Sequence, residues 1–286
     1  MNPMAAILPC GTRLHLQHGP IDLIISADGQ RERAFEAANA RFRTVLTELV
    51  AELDALKQPI TPTAECPNGA VAQRMHAAAM TYVGYGCLTR MAAVAGSVAD
   101  TVLNAMTDGA DVRRAYVNNG GDIALHLQED ESYSSAMVGH DGRELGQIII
   151  RSGYNVGGIA TSGRHGRSLS CGIADSVTVL SSCAAKADVA ATLIANAVDL
   201  ASHPAITRRP ANEVVDDSDL GKRPVVVGCG PLTQLDRNTA LRAGHDCALN
   251  MVKQNTIHAA ALFLQNDALA AGSDMLISYS RTKEYA

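Results

Sequence analysis

The sequence predicts an α+β fold, in which helices made of small residues cover an antiparallel sheet. Three observations predict it. Short apolar or alternating segments follow one another between residues 113 and 151, with turn residues between them, as the strands of successive hairpins do. Two helical segments are rich in alanine and other small residues. Only 3% of the residues are aromatic, with no Trp and 24 Gly, so the core must consist of small aliphatic side chains. The hairpin order favours this class over a doubly wound parallel fold.

The residue pattern of the N-terminal part predicts a hairpin followed by helices. Residues 12–17 alternate polar and apolar side chains, residues 21–27 are rich in β-forming residues, and a Gly-Pro pair lies between them. In residues 31–56 apolar side chains recur every three or four positions, which is typical of an amphipathic helix. Three prolines in residues 57–69 predict a loop. Further helices are predicted at residues 70–80 and 91–106.

The residue pattern of the rest of the chain predicts the strands of the sheet and two more helices. Strands are predicted at residues 113–118, 122–127, 136–138, 145–151, 157–162, 175–180 and 225–227, and an apolar segment follows at 257–264. Alanine supplies seven of the fifteen residues in 184–198, which predicts a closely packed helix. A second helix is predicted at residues 235–252. The polar, proline-punctuated residues 202–224 predict a connection.

Composition argues against several classes of protein. The net charge of −5 and the scarce aromatic residues disfavour nucleic-acid binding, because phosphates attract clustered Lys and Arg, and bases stack on rings. No stretch reaches the roughly 20 apolar residues of a membrane helix, and the first residues lack a signal-peptide pattern. The seven cysteines are scattered, which indicates reduced thiols. We therefore expect a cytoplasmic protein without a nucleic-acid or membrane partner.

A first candidate site is the segment Asn119-Gly120-Gly121-Asp122, which lies between two predicted strands. Its two glycines allow a tight reversal and expose backbone N–H groups, while Asn119 and Asp122 offer an amide and a carboxylate to a ligand or a metal. A plain hairpin turn explains the same residues, because Asn-Gly is a common hairpin signal. Both interpretations stay open on the sequence alone.

A second candidate site is the loop after the predicted strand at residues 157–162. Hydroxyls, glycines and basic side chains are concentrated here, at Thr161, Ser162, Gly163, Arg164, His165, Arg167 and Ser168. Glycine backbone, hydroxyl donors and guanidinium groups are what a phosphate or a carboxylate needs. A solvated loop would explain the glycines but not so many donors. The pattern therefore predicts a site for a small anionic ligand.

A third candidate site lies on the alanine-rich helix. Asp188 and Thr192 are four positions apart and therefore project from one face. A carboxylate and a hydroxyl framed by small residues suit a hard cation such as Mg²⁺. The alternative is a packed helix in which Asp188 only favours the helix dipole.

Four segments, taken in order, resemble the flavin transferase (ApbE) superfamily. They are residues 119–122 (NGGD), 160–163 (ATSG), 176–179 (SVTV) and 187–192 (ADVAAT). Residues 91–96 (MAAVAG) and 168–175 (SLSCGIAD) narrow the resemblance to a short branch of that superfamily. The resemblance implies an ApbE-like architecture and a protein that handles flavin with magnesium. True transferases move the FMN part of FAD onto a Thr or Ser of a target protein.

The resemblance also implies roles for individual residues. It implies metal binding by Asp188 and Thr192. It implies contacts to FAD or FMN from Asn119, Gly120, Gly121, Asp122, Thr161, Ser162 and Gly163. Because it covers roughly residues 12–200, we expect residues 1–202 to form the ApbE-like core and residues 203–286 a C-terminal extension packed on the same domain.

One segment departs from the superfamily. True transferases carry a His-Ile-x-Asp-Pro segment with a functional histidine, and residues 164–175, which fill that gap here, do not reproduce it. His165 is the candidate substitute. Arg167 stands where relatives of this branch usually carry histidine, and a permanent cation favours anion binding over proton transfer. The catalytic candidates are Arg164, His165, Arg167 and Ser168.

Three functions stay open. The first is a protein that binds a flavin nucleotide, or another anionic ligand, with Mg²⁺ and acts in cofactor handling or small-molecule catabolism. The second is an enzyme that acts on a small (hetero)aromatic carboxylate without flavin transfer. The third is a non-catalytic flavin-binding scaffold. Helices made of small residues suit a close contact between subunits, so we also expect a homo-oligomer, and specifically a homodimer.

Overall fold

The structure, a computed structural model, describes residues 2–272 and 276–278. Its strands are β1 Met4–Ile7, β2 Arg13–His18, β3 Ile21–Gly29, β4 Val112–Asn119, β5 Asp122–Leu127, β6 Ser132–Val138, β7 Glu144–Arg151, β8 Gly158–Ser162, β9 Ser176–Ser181, β10 Ile206–Pro210, β11 Pro224–Cys229, β12 Ala259–Leu264, β13 Asp267–Gly272 and β14 Leu276–Ser278. Its α-helices are α1 Arg31–Ala51, α2 Leu53–Leu56, α3 Ala70–Met80, α4 Val94–Gly109, α5 Ala184–Ala197 and α6 Gln234–Lys253.

One large antiparallel sheet organises the molecule. Within residues 2–272, nine strands pair in the order β1-β2-β3-β4-β5-β8-β9-β12-β13, and every neighbouring pair is antiparallel. The remaining described strands form a two-stranded sheet, β10-β11, and a three-stranded sheet, β14-β7-β6. Helices α4 and α5 pack on the large sheet. The predicted α+β class with an antiparallel sheet is confirmed.

The first predicted helix is interrupted near its end. The apolar face of α1 is buried, as the spacing predicts, and packs against α4 and β3. At Glu52 the backbone leaves the helix, with φ −119° and ψ 14°. The Glu52 carboxylate accepts hydrogen bonds from the backbone N–H groups of Asn68 (2.8 Å) and Gly69 (2.6 Å), just before α3 begins. Residues 31–56 therefore form α1 and α2 rather than one helix, and the Glu52 carboxylate holds the backbone that leads into α3.

Helices α4 and α5 approach each other very closely. A Cβ atom at Gly96 of α4 would lie 2.3 Å from the carbonyl oxygen of Ala184, the first residue of α5. A Cβ atom at Gly158 of β8 would lie 2.1 Å from the backbone nitrogen of the same Ala184. The buried alanines of α5 are Ala184, Ala185, Ala187, Ala190, Ala191 and Ala195. The small residues of the sequence thus allow two helices and a strand to meet at one point.

The structure corrects the interpretation of residues 202–224. The pattern there predicts a connection, but the segment contains β10 and a 3₁₀ turn at Ala211–Glu213. β10 pairs with β11, with Pro210 opposite Pro224. Its residues are half-buried or exposed and include two arginines, so no apolar alternation marks it as a strand. The sequence pattern does not predict β1 either, because all four of its residues are exposed and no alternation arises.

The segment after residue 202 contributes to the large sheet. β12 pairs with β9, β13 pairs with β12, and α6 packs on α5. The division into residues 1–202 and 203–286 stays a prediction, with the qualification that the second part supplies two strands of the same sheet. In the part of the chain that the structure describes, no helix is both long and apolar enough to cross a membrane.

Candidate functional site

A cavity of about 660 Å³ lies beside the turn between β4 and β5. Its volume is in the range of pockets that bind cofactors and drug-sized molecules. One part of its surface is apolar and consists of Pro20, Ile21, Leu46, Leu49, Val50, Leu53, Leu56, Met91, Val94, Ala95 and Val98, which we call the apolar wall. The other part consists of Asn119, Gly120, Asp122, Thr161, Ser162, Gly163, Gly166, Arg167, Ser168, Asp188 and Thr192, which we call the polar wall.

The turn between β4 and β5 holds the centre of the polar wall. Asn119 pairs with Asp122 in the strand register, and Gly120 and Gly121 between them have φ values of +66° and +114°. Such two-residue hairpin turns need positive φ. The Asn119 amide is buried and donates to the carbonyl oxygen of Ala95 at 3.1 Å, which ties the turn to α4. The segment is therefore a hairpin turn whose residues, Gly121 excepted, also line a cavity.

The guanidinium group of Arg167 lies over Gly120. A Cβ atom at Gly120 would stand 3.1 Å from Nη1 of Arg167 and 3.2 Å from its Cζ. Within residues 2–272 the Arg167 guanidinium forms no hydrogen bond or ion pair, and the side chain is exposed at the cavity. Its N–H donors are thus available to an anionic ligand.

Two carboxylates, those of Asp122 and Asp188, belong to the polar wall. The backbone N–H of Thr161 donates to Asp122 Oδ1 at 3.3 Å, and that of Gly96 donates to Asp188 Oδ2 at 3.0 Å. Burial raises the pKa of Asp122 to about 7, against the opposing effects of the Thr161 hydrogen bond and the Arg167 charge. Burial and then the Asp122 charge raise the pKa of Asp188 well above its ordinary value. A cation between them would relieve this repulsion.

Hydroxyl groups complete the polar wall. Thr192 lies one helical turn after Asp188 on α5, and both residues line the cavity, as their spacing predicts. The hydroxyl of Thr161 is 3.0 Å from that of Thr178 on the neighbouring strand β9. Ser162 and Ser168 also line the cavity. These groups can act as donors or acceptors toward a phosphate or a hydrated cation.

The donors for a metal are few. Within residues 2–272 no group of three or more His, Cys, Asp or Glu side chains is arranged to hold a metal ion. The cavity offers two carboxylates, on Asp122 and Asp188, and the Thr192 hydroxyl. A small set of oxygen donors matches Mg²⁺, which keeps several water ligands and binds through one or two carboxylates plus substrate phosphates.

Arg164 and His165 lie beside Asp175 and not in the cavity wall. Nε and Nη2 of Arg164 are 2.8 Å and 2.7 Å from Asp175 Oδ1, and Nε2 of His165 is 3.3 Å from the same atom. The His165 ring also stacks on His140, with centroids 3.7 Å apart. Burial, followed by the Arg164 charge, lowers the pKa of His165. The structure thus brings only the other two catalytic candidates to the cavity.

The apolar wall was not among the candidate residues from the sequence. Leu46, Leu49 and Val50 of α1, with Leu53 of α2, continue the amphipathic face that also packs in the core. Val50 is 59% exposed, so this end of the face is not covered by other elements. The helical spacing marks the apolar face of this segment, but only the fold shows that these side chains line a cavity.

Comparisons with known proteins give the family. The sequence model of the family described as "AbpE bacteria" matches residues 5–273. A UPF0280 protein of Methanothrix thermoacetophila is 33% identical over 185 residues, which is 63% of this chain and 75% of the relative. A UPF0280 protein of Methanococcus maripaludis is 39% identical over 111 residues, which is 37% of this chain and 44% of the relative. The match thus spans less than half the length of the Methanococcus protein.

Among solved structures, the apo form of the flavinyl transferase ApbE of Pseudomonas stutzeri aligns with a TM-score of 0.48 and 11% sequence identity. The alignment covers 96% of this chain and 94% of that one. The family match over residues 5–273 confirms the ApbE-like assignment made from the sequence segments. The chain belongs to the family described as AbpE bacteria.

Proposed function

We propose that the cavity binds a flavin nucleotide together with Mg²⁺, and that the chain acts in flavin cofactor handling. The observation that carries the proposal is the division of one cavity into an apolar wall and a polar wall with two carboxylates and a free guanidinium group. A nucleotide with a ring system and a diphosphate likewise has an apolar part, which suits the apolar wall, and an anionic part, which suits the polar wall. The flavin-related names of ApbE relatives agree with this ligand.

Asp122, Asp188 and Thr192 would hold the cation. Burial raises the pKa of both carboxyl groups, and the Asp122 charge raises the pKa of Asp188 further. A divalent ion would compensate the charge of both. When bound, Mg²⁺ supplies positive charge that neutralises a diphosphate. The anionic part of the ligand would then lie between the cation and Arg167, within reach of the Ser162 hydroxyl.

The ring system would lie against the apolar wall. Among the described residues that line the cavity, no side chain is aromatic, so the ring would pack on aliphatic groups such as Leu46, Val50 and Met91. Aliphatic packing still removes apolar surface from water and stabilises binding by roughly 25 cal/mol per Å² of buried apolar area. A flavin held in this way would bind without ring stacking.

Transfer of the FMN part of FAD is the second candidate activity. In the described residues around the cavity no imidazole is present, and His165 is engaged with Asp175 and His140. A transfer reaction would therefore need a proton acceptor other than histidine. We rank cofactor handling above flavin transfer, and flavin transfer above a scaffold without catalysis.

A small (hetero)aromatic carboxylate is the alternative ligand. The observation that favours it is Arg167, whose fork could hold a carboxylate while the ring contacts the apolar wall. Such a ligand would need no cation. The two classes of ligand therefore differ in their dependence on Mg²⁺ and on Asp188.

A thermal-shift screen separates these proposals. FAD, FMN, ADP and a set of aromatic acids are added with Mg²⁺ or with EDTA to the original chain and to Asp188→Ala. Asp246→Ala removes a carboxylate from the exposed face of α6 and serves as the matched control. We expect FAD or FMN to raise the melting temperature only with Mg²⁺, in the original chain and the control but not in Asp188→Ala. Stabilisation by acids alone, independent of Mg²⁺, would reject the flavin proposal.

A further inference from the structure

Asp100 is a buried carboxylate that the proposed function does not use. It lies in the middle of α4 and is 4% exposed. Its Oδ1 accepts a hydrogen bond from the backbone N–H of Ala184 at 3.0 Å, and its Oδ2 accepts one from Ala185 at 2.9 Å. Both donors belong to the first turn of α5, whose own N-cap residue, Cys183, makes no side-chain cap. Asp100 therefore caps α5 from a neighbouring helix.

Asp188 makes the reciprocal contact. It lies on α5, and its Oδ2 accepts a hydrogen bond from the backbone N–H of Gly96, in the first turn of α4, at 3.0 Å. The N-cap residue of α4, Ala93, likewise makes no side-chain cap. Each of the two helices thus receives its N-terminal cap from a carboxylate on the other helix.

This exchange depends on the close approach of the two helices. A Cβ atom at Gly96 would lie 2.3 Å from the carbonyl oxygen of Ala184, so the backbones are in contact where the caps cross. A shift of the α5 N-terminus by even a few tenths of an ångström would change the distance from Gly96 to the Asp188 carboxylate. The position of Asp188 on the cavity wall is therefore linked to the hydrogen bonds of Asp100.

We propose that Asp100 is a positioning residue that holds Asp188 in the cavity wall by fixing the first turn of α5 against α4. The inference rests on the proposed function only in giving Asp188 the role of cation ligand. Burial of the Asp100 carboxylate raises its pKa, whereas the amides of Ala185 and Ala184 and the charge of Arg74 lower it. The position thus retains a costly buried acid, and the two amides and Arg74 offset part of that cost.

Amide hydrogen exchange of the intact chain tests the positioning directly, because it needs neither a cation nor a ligand. In Asp100→Asn the side chain keeps its shape but has one acceptor oxygen, and its NH₂ group faces the second amide. We expect exchange of the Ala184 and Ala185 amides to accelerate, and that of Gly96 to accelerate at least tenfold, because Asp188 loses its fixed position.

Val102→Ala is the matched control. Val102 is a fully buried residue of α4 that is not part of either cavity wall, so its truncation lowers stability without touching the caps. The two variants are compared under conditions in which their melting temperatures are equal. A larger acceleration of Gly96 amide exchange in Asp100→Asn than in Val102→Ala supports the proposal. Gly96 exchange equal to that of the control, despite open Ala184 and Ala185 amides, would overturn it.

Titration with Mn²⁺ as the probe connects the positioning to the site. If the original chain binds Mn²⁺, we expect Asp100→Asn to raise the dissociation constant at least tenfold and Val102→Ala to leave it unchanged. Equal affinity in the original chain and in Asp100→Asn would overturn the proposal. If the original chain binds no Mn²⁺, the proposed cation site fails, and the exchange experiment still decides whether Asp100 positions Asp188.

Discussion

Individual residues of the polar wall either leave space or carry charge. Gly120 leaves the space that the Arg167 guanidinium occupies, and its φ of +66° is one that residues with a Cβ adopt at a cost. Asp122 and Asp188 form no salt bridge within residues 2–272, and burial raises the pKa of both carboxyl groups. Each group can therefore be tested by a single substitution.

Arg167→Ala should weaken nucleotide binding with little effect on folding. The side chain is exposed and forms no hydrogen bond within the described part of the chain, so its removal leaves no buried partner unsatisfied. Loss of a charge-assisted hydrogen bond to phosphate costs roughly 1.5–3 kcal/mol, which is about a tenfold to hundredfold change in affinity. Fluorescence titration with FAD and Mg²⁺ measures the change. Arg242→Ala, on the exposed face of α6, should leave the affinity unchanged, and equal losses in both variants would reject a direct contact.

Asp122→Asn should make the cation-free protein more stable at neutral pH. The pKa of Asp122 is raised to about 7 in the folded protein, from an ordinary value of 3.8. Between these two values the folded state holds a proton that the unfolded chain releases, so stability falls as pH rises through this window. Asparagine keeps the acceptor for the Thr161 amide and removes the charge.

Melting temperatures in EDTA between pH 5 and pH 8 measure this effect. As the pH rises, the melting temperature of the original chain should fall more than that of Asp122→Asn. Each kcal/mol of difference in the free energy of unfolding corresponds to on the order of 2 °C. Parallel curves for the two proteins would contradict the raised pKa of the Asp122 carboxyl.

At the scale of elements, α4 and α5 form the support for the polar wall. Asp188 and Thr192 lie on one face of α5, and the cavity receives Val94, Ala95 and Val98 from the other helix. The spacing of Asp188 and Thr192 could be read from the sequence because it depends only on helical geometry. Their distance from the β4–β5 turn could not, because it depends on how α4, α5 and the large sheet pack together.

Gly96→Ala should separate these two helices. The added Cβ would meet backbone atoms of Ala184 and Ala185 rather than flexible side chains, so the helices must move apart. Overpacking of this kind costs roughly 1–3 kcal/mol. Gly84→Ala is the control, since a Cβ there meets no atom within 4 Å. Thermal unfolding should show a lower melting temperature for Gly96→Ala alone, and similar values for both variants would contradict the close packing.

Sequence patterns predict the elements that have one buried face and miss the strands that have none. The alternation of β2 and β3 and the spacing of α1 mark the buried face of each element. β1 and β10 have no buried face, so no pattern exists to find them. Similarly, the sequence places Arg164 and Arg167 in one loop without showing which of them forms an ion pair. The fold brings Asp175 to Arg164, and the Arg167 guanidinium group stays available to a ligand.

At the scale of the whole molecule, the C-terminal part completes the large sheet. β12 pairs along its length with β9, which would otherwise be an edge strand beside the cavity-bearing part of the sheet. All six residues of β12 are buried. The four segments that carry the sequence resemblance lie before residue 200, but the family match extends to residue 273 and the sheet continues.

A fragment of residues 1–202 should therefore fail to fold cooperatively. It would expose the edge of β9 and the buried face of α5 that α6 covers, and exposed apolar edges promote aggregation. Thermal unfolding followed by circular dichroism, with the full chain as reference, measures cooperativity. A fragment with a sharp transition and a native-like sheet signal would show that residues 203–286 are a dispensable extension.

A crystal structure of the chain with FAD and Mg²⁺ tests the assignment of the cavity most directly. We expect a cation with oxygen ligands from Asp188 at about 2.0–2.1 Å, the normal Mg²⁺ distance. We also expect a diphosphate beside Arg167 and the ring system against Leu46 and Val50. A structure in which FAD occupies another surface, or lies in the cavity while no cation contacts Asp188, would contradict the proposed function.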